Sequence, residues 1–224
     1  MNAEDSKTMG NSKPDNSARW YFDFISPFAY LQWMDLRTQS NIPNLEIKPV
    51  LFAGLLKKNG QLGPAEIPAK RAYTYRYVTW LAREQDVPFR FPSGHPFNPL
   101  PLLRLALAAQ CQVEAVDQMF QFVWCHGHIP SNDSAMDALA ERLNIENWRA
   151  AIQEPAIKQA LIANTEEAIA KQIFGVPTID YQGQQFWGQD STEMFLDFLR
   201  NPALFDDAEM QRVSELPIAV ERPR

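Results

Sequence analysis

Residues 20–31, WYFDFISPFAYL, change character at Ser26-Pro27. Before that point, Trp20-Tyr21-Phe22-Asp23-Phe24-Ile25 is aromatic and apolar with one acid inside, as in a short buried strand. After it, Phe28-Ala29-Tyr30-Leu31-Gln32-Trp33-Met34-Asp35-Leu36 repeats apolar residues at helical spacing. Serine is a preferred N-cap, because its hydroxyl accepts from an orphan N–H of the first turn. Proline is favoured at the first helical position, where no N–H is needed. A strand therefore runs straight into a helix whose first turn begins at Ser26. Such an end carries partial positive charge and favours an anion. A thiolate placed there would be stabilised for the same reason. These residues alone require no more of Ser26 than a helix cap.

The chain has 224 residues, enough for one elaborated domain or two closely packed subdomains with a substantial core. Hydrophobic residues make up 46% and aromatics 12%, which argues for a globular chain. A net charge of −6 without any Lys/Arg cluster argues against nucleic acid as a partner. Cys111 and Cys125, fourteen positions apart, form neither a disulfide framework nor a C-x-x-C. A reducing, cytoplasmic setting is expected. Residues 1–18 are polar and lack an apolar core segment, so they read as a disordered tail and not a signal peptide. No apolar run approaches membrane-spanning length, so no membrane is expected.

Asn41-Ile42-Pro43-Asn44 is a turn, and Leu45–Leu51 alternates as a second strand, giving a β-α-β unit. Residues 52–58 suit a short helix, and residues 59–64 a loop. From about 66 to 174 helical periodicity dominates: 68–86, 102–110, 113–125, 135–143, 145–152 and 156–174. Residues 87–101 hold five prolines and form an extended connection. Strand signal returns at residues 175–181. A turn at Gln182-Gly183-Gln184 then completes a hairpin with residues 185–187. Asp190 and Ser191 are both plausible caps for a last helix over 192–199. Residues 201–224 contain three prolines and are expected to wrap the surface. One short sheet is thus built from both ends of the chain, the class of sheet that binds ligands at its strand-to-helix junctions.

This order resembles the thioredoxin fold with a large all-helical insertion, as in disulfide oxidoreductases of the DsbA type. It divides the chain into a thioredoxin-like domain (19–64 and 174–200), a helical insertion (65–173) and a C-terminal tail (201–224). Where that fold carries its redox C-x-x-C, this chain has Ser26-Pro27-Phe28-Ala29, so dithiol chemistry has no thiols at this site. Val176-Pro177 resembles the fold's cis-proline; a trans proline opening an edge strand is the other reading. Residues 22–31 are similar to the opening of the 2-hydroxychromene-2-carboxylate isomerases, relatives of kappa-class glutathione transferases. Ile67-Pro68-Ala69-Lys70-Arg71, Phe174-Gly175-Val176-Pro177-Thr178 and Phe186-Trp187-Gly188-Gln189-Asp190 follow in the family's order.

The resemblance implies glutathione as cofactor, with its sulfur at Ser26-Pro27-Phe28 and the Ser26 hydroxyl donating to the thiolate. Addition of that thiolate to an aromatic-catabolic substrate, ring opening, rotation and departure would complete an isomerisation. The cofactor's cysteinyl backbone would pair with Val176 beside Pro177. Its γ-glutamyl end would meet Gln189 and Asp190, and its glycyl carboxylate Lys70. Gln61 occupies the place of a family asparagine, retaining the amide with one more methylene. Family members are commonly dimers, so a homodimer is implied. A kappa-like transferase or peroxidase, and a thioredoxin-like binding module without chemistry, are the alternatives.

Cys111 and Cys125 are expected on apolar helical faces. His126 and His128 suit a helix C-terminus better than a metal site. Tyr73, Tyr77 and Trp80 share a helix face and are expected in the core, or as the lining of an apolar acceptor pocket.

Overall fold

The computed structural model describes residues 17–39, 42 and 44–220. Most of the expected N-terminal tail and part of the turn at 41–44 lie outside the described residues. The sheet has the order β2-β1-β3-β4, built from β1 (Ala18–Phe22), β2 (Leu45–Pro49), β3 (Thr178–Tyr181) and β4 (Gln184–Trp187). β1 pairs parallel to β2, with Trp20 opposite Ile47, and antiparallel to β3, with Trp20 opposite Ile179. The β3–β4 hairpin turns on Gln182 (φ 50°) and Gly183 (φ 82°). Two positive φ values are what a two-residue hairpin loop needs to match strand twist.

Side-chain alternation along β1 divides the core between the two faces of the sheet. Trp20 and Phe22 point to one face, against α1 (Pro27–Leu36), α5 (Val113–Trp124) and α9 (Thr192–Arg200). There Trp20 stacks on Trp33 at 5.3 Å, and Phe120 lies 5.4 Å from Phe22 and 4.7 Å from Phe24. Tyr21 points to the other face, among Val50, Leu55 of α2 (Phe52–Asn59) and Ala168 of α8 (Pro155–Ala170). Its hydroxyl donates to Glu167 of α8 at 2.6 Å. The remaining helices are α3 (Pro68–Glu84), α4 (Leu100–Ala108), α6 (Asp133–Arg142), α7 (Trp148–Ala151) and α10 (Ala208–Ser214).

Several elements end earlier than residue pattern predicts. β1 stops at Phe22, because the Asp23 carboxylate accepts from Ile25 N at 3.0 Å and folds residues 23–26 into a turn. The helices ending at Ala108 and Ala170 stop on Gln110 (φ 55°) and Gln172 (φ 61°) in the left-handed region. In each case a backbone N–H closes back on the last turn: Cys111 on Ala106 and Ile173 on Ala168, both at 2.8–2.9 Å. Glycine is the usual residue there, so these stops carry no glycine signal. The C-terminal tail is not wholly irregular, since α10 forms within it on an Asp207 cap.

Tyr73, Tyr77 and Trp80 do share a face of α3, but that face is turned outward. They are 66%, 37% and 52% exposed, so the core placement is wrong. α3 buries Val78 and Ala82 instead. The two cysteines lie at helix ends and not on helix faces: Cys111 follows α4, and Cys125 ends α5. Burial pushes the Cys111 thiol up to about 11, which leaves it inert as a nucleophile at neutral pH.

Candidate active site

Ser26 caps α1 as its sequence implies. Its Oγ accepts from Ala29 N at 3.2 Å, and Pro27 fills the first helical position. The residue is only 7% exposed, yet its O–H has no acceptor among the described residues. Pro27 has no N–H, so that of Phe28 is the first the helix can offer. The site therefore combines an unused hydroxyl donor with the positive end of a helix dipole.

The turn that carries Ser26 is held by side chains from distant parts of the chain. Phe24 O accepts from Trp124 Nε1 at 2.9 Å, and Ile25 O from His95 Nε2 at 2.8 Å. Ser26 N donates to Asp23 O at 3.0 Å. Asp23 is fully buried and also accepts from Phe52 N at 2.9 Å, which ties the start of α2 to the turn. Burial pushes its carboxyl up to about 7, against the opposing effect of the two backbone donors.

Behind α1, the fully buried Gln32 joins three elements. Its Oε1 accepts from Trp20 Nε1 at 2.7 Å. Its Nε2 donates to Gly188 O at 2.9 Å and to Thr192 Oγ1 at 3.1 Å. Gly188 N in turn donates to Pro177 O at 2.9 Å. α1, the proline loop and the start of α9 are thereby locked together.

The Val176–Pro177 peptide is cis, and both residues are buried. Gln189 and Asp190 lie in a 3-10 turn before α9, with Asp190 exposed. Asp190 is not the cap of that helix: Ser191 holds the position without a side-chain cap bond, and its Oγ donates to Gly188 O at 2.8 Å. Gly188 (φ 92°) is confined by Asp190, whose Oδ1 lies 2.6 Å from where a Cβ would stand. Phe28 is half-buried at the start of α1, and its ring lies 6.3 Å from that of Tyr77. Lys70 sits in the first turn of α3 and Gln61 follows α2; both are exposed. Their side chains make no hydrogen bond or ion pair among the described residues. Gln32 thus joins α1, which begins at Pro27 and Phe28 on the Ser26 cap, through Gly188 to Pro177 and through Thr192 to Gln189, and so to the segments that carry Val176 and Asp190. Gln61 and Lys70 stand on separate elements.

Residue pattern did not single out Gln32 or Trp124. It marked His95 only within His95-Pro96-Phe97-Asn98-Pro99, a segment that resembles one near the family's pocket, without giving it a role. The signal for Gln32 was present, as a lone amide among the apolar residues of α1. Trp124 and His95 reach the turn from 100 and 70 residues away, so no local spacing announces the hydrogen bonds they make there.

The chain is 27% identical over 179 residues to a 2-hydroxychromene-2-carboxylate isomerase of Pseudomonas putida, covering 76% of this chain and 88% of that protein. It is 25% identical over 202 residues to glutathione S-transferase kappa 1 of Homo sapiens, covering 80% and 88%. The solved structure of a 2-hydroxychromene-2-carboxylate isomerase superposes with a TM-score of 0.74 at 22% identity, over 87% of this chain and 98% of the other. The sheet order, the cis-proline and the strand-to-helix junction agree with a family match that spans residues 19–200: the chain belongs to the DSBA-like thioredoxin domain family.

Proposed function

We propose that this protein is a glutathione-dependent isomerase acting on 2-hydroxychromene-2-carboxylate or a similar aromatic-catabolic intermediate. The observation that carries this reading is Ser26, whose buried hydroxyl proton has no acceptor among the described residues and stands at a helix N-terminus. A sulfur anion is the ligand such a site favours, since a helix N-terminus and a charge-assisted hydrogen bond both lower a thiol's pKa. When bound, glutathione supplies a nucleophilic thiolate that can add to the substrate and leave again.

The chain's own groups divide the remaining work. Ser26 donates to the sulfur. The backbone at Val176, beside the cis Pro177, offers pairing to the cysteinyl unit. Asp190 suits an ammonium and Gln189 a carboxylate, both in the 3-10 turn that leads into α9. Lys70, an exposed cation without an ion-pair partner among the described residues, suits the glycyl carboxylate. Gln61, exposed after α2, offers an amide to the same ligand. The exposed aromatics of α3 next to Phe28 suit an aromatic acceptor. A cytoplasmic homodimer is the setting proposed for this chemistry. Among the described residues no helix is long and apolar enough to cross a membrane.

A second reading, a kappa-like glutathione transferase or peroxidase, is favoured by the similarity to kappa transferases over 80% of the chain. Incubation with the chromene carboxylate and substoichiometric glutathione separates the two. Isomerisation with glutathione recovered intact supports the first. Conjugate formed in proportion to glutathione consumed supports the second. No turnover of the chromene carboxylate or of a general electrophile such as 1-chloro-2,4-dinitrobenzene leaves a binding module.

A further inference from the structure

The peptide unit between Ile25 and Ser26 is fixed at both ends. Its N–H donates to Asp23 O at 3.0 Å, and its carbonyl accepts from His95 Nε2 at 2.8 Å. A carbonyl only accepts, so Nε2 carries a proton. His95 Nδ1 lies 2.6 Å from the Tyr75 hydroxyl, which is also 2.8 Å from the carbonyl of His95 itself. Burial holds the His95 pKa below its usual value, so the ring is neutral at physiological pH and Nδ1 is an acceptor. The Ile25 carbonyl thus requires the Nε2-protonated tautomer, and the Tyr75 hydroxyl, whose one proton faces both Nδ1 and the His95 carbonyl, holds the other edge of the ring. The ring is walled by Phe91, Phe97 and Trp124, at 6.1, 5.9 and 5.5 Å between centroids, which leaves it little freedom to turn.

The consequence falls on Ser26. The 25–26 peptide sets the direction of the Ser26 Cα–Cβ bond. A released Ile25 carbonyl would also become an acceptor, free to compete for the Ser26 proton or to oppose a neighbouring anion. We propose that His95, steadied at Nδ1 by Tyr75, is a positioning residue that holds the Ser26 hydroxyl toward a bound thiol. This rests on the reading of Ser26 as the group that donates to glutathione.

The test uses the full-length protein with His95→Phe, His95→Gln and Tyr75→Phe, read in two ways. Amide hydrogen exchange at Ser26 reports the turn without glutathione. The pH midpoint of thiolate absorbance, measured with saturating glutathione, reports the bound thiol. His95→Phe is expected to speed Ser26 exchange about tenfold and to raise the thiolate midpoint by about one pH unit. Exchange within β1 should be unchanged. Tyr75→Phe, which removes one hydroxyl, is expected to shift both readouts the same way by less, and it serves if His95→Phe does not fold. His95→Gln, whose amide can still donate to Ile25 O, should recover most of the midpoint. An unchanged midpoint in folded His95→Phe or Tyr75→Phe overturns the positioning role while leaving the glutathione site intact. No thiolate signal in the wild type overturns both, and so separates failure of the site from failure of His95.

Discussion

Trp124 Nε1 donates to the carbonyl of Phe24 at 2.9 Å, joining the end of α5 to the turn that carries Ser26. The indole is fully buried against Phe89, Phe91, His95 and Phe97. One side chain therefore both fills the core of the helical region and satisfies a buried backbone acceptor at the site. Trp124→Phe keeps an aromatic ring but orphans the carbonyl and leaves a gap. Destabilisation of about 2–3 kcal/mol is expected in urea titrations at neutral pH. A loss below about 0.5 kcal/mol would mean that the Phe24 carbonyl finds another donor.

Asp23 gives a prediction with a definite sign. Its folded carboxyl is raised from its ordinary value of 3.8 to about 7 by burial. The native state thus binds the proton more tightly than the unfolded chain. The stability Asp23 contributes is full below about pH 4 and is lost as pH rises toward 7, at about 1.4 kcal/mol per unit. Asp23→Asn does not titrate, so its stability curve serves as the reference. The wild-type-minus-variant difference should fall between pH 4.5 and 7.5 and flatten above. A difference that rises over that range would mean the two backbone donors outweigh burial.

Lys70 separates binding from folding. It is exposed and makes no ion pair among the described residues, so Lys70→Ala should change stability by less than about 0.5 kcal/mol. An exposed lysine–carboxylate contact contributes at most about 1 kcal/mol. Glutathione affinity measured by calorimetry should therefore weaken about three- to fivefold. Unchanged affinity would remove Lys70 from the site.

The parts legible in the sequence are the local ones. Ser26-Pro27 announces a capped helix because a cap depends on residues within one turn. The order of strands and helices along the chain follows from where alternation and helical spacing begin and end. Val176-Pro177 was legible through the family resemblance instead, and the trans proline of an edge strand is overturned by a cis peptide before the interior strand β3. What the sequence hid is mostly long-range. Gln32 meets Gly188 across 156 positions, and nothing in the spacing of α1 tells which way its lone amide points. The aromatic stripe of α3 shows the complementary limit: periodicity places Tyr73, Tyr77 and Trp80 together, but it does not say whether that face looks inward. Helix ends at Gln110 and Gln172 were hidden because glutamine there carries none of the usual stop signals.

The central claim is that Ser26 activates a bound thiol. Its most direct test is ultraviolet difference absorbance of glutathione bound at neutral pH, on the wild type and on Ser26→Ala. The wild type should show a thiolate band that the variant loses. The variant should still fold cooperatively, with about 1 kcal/mol less stability from the missing cap. An equal thiolate band in Ser26→Ala, or no binding by the wild type at millimolar glutathione, would contradict the account.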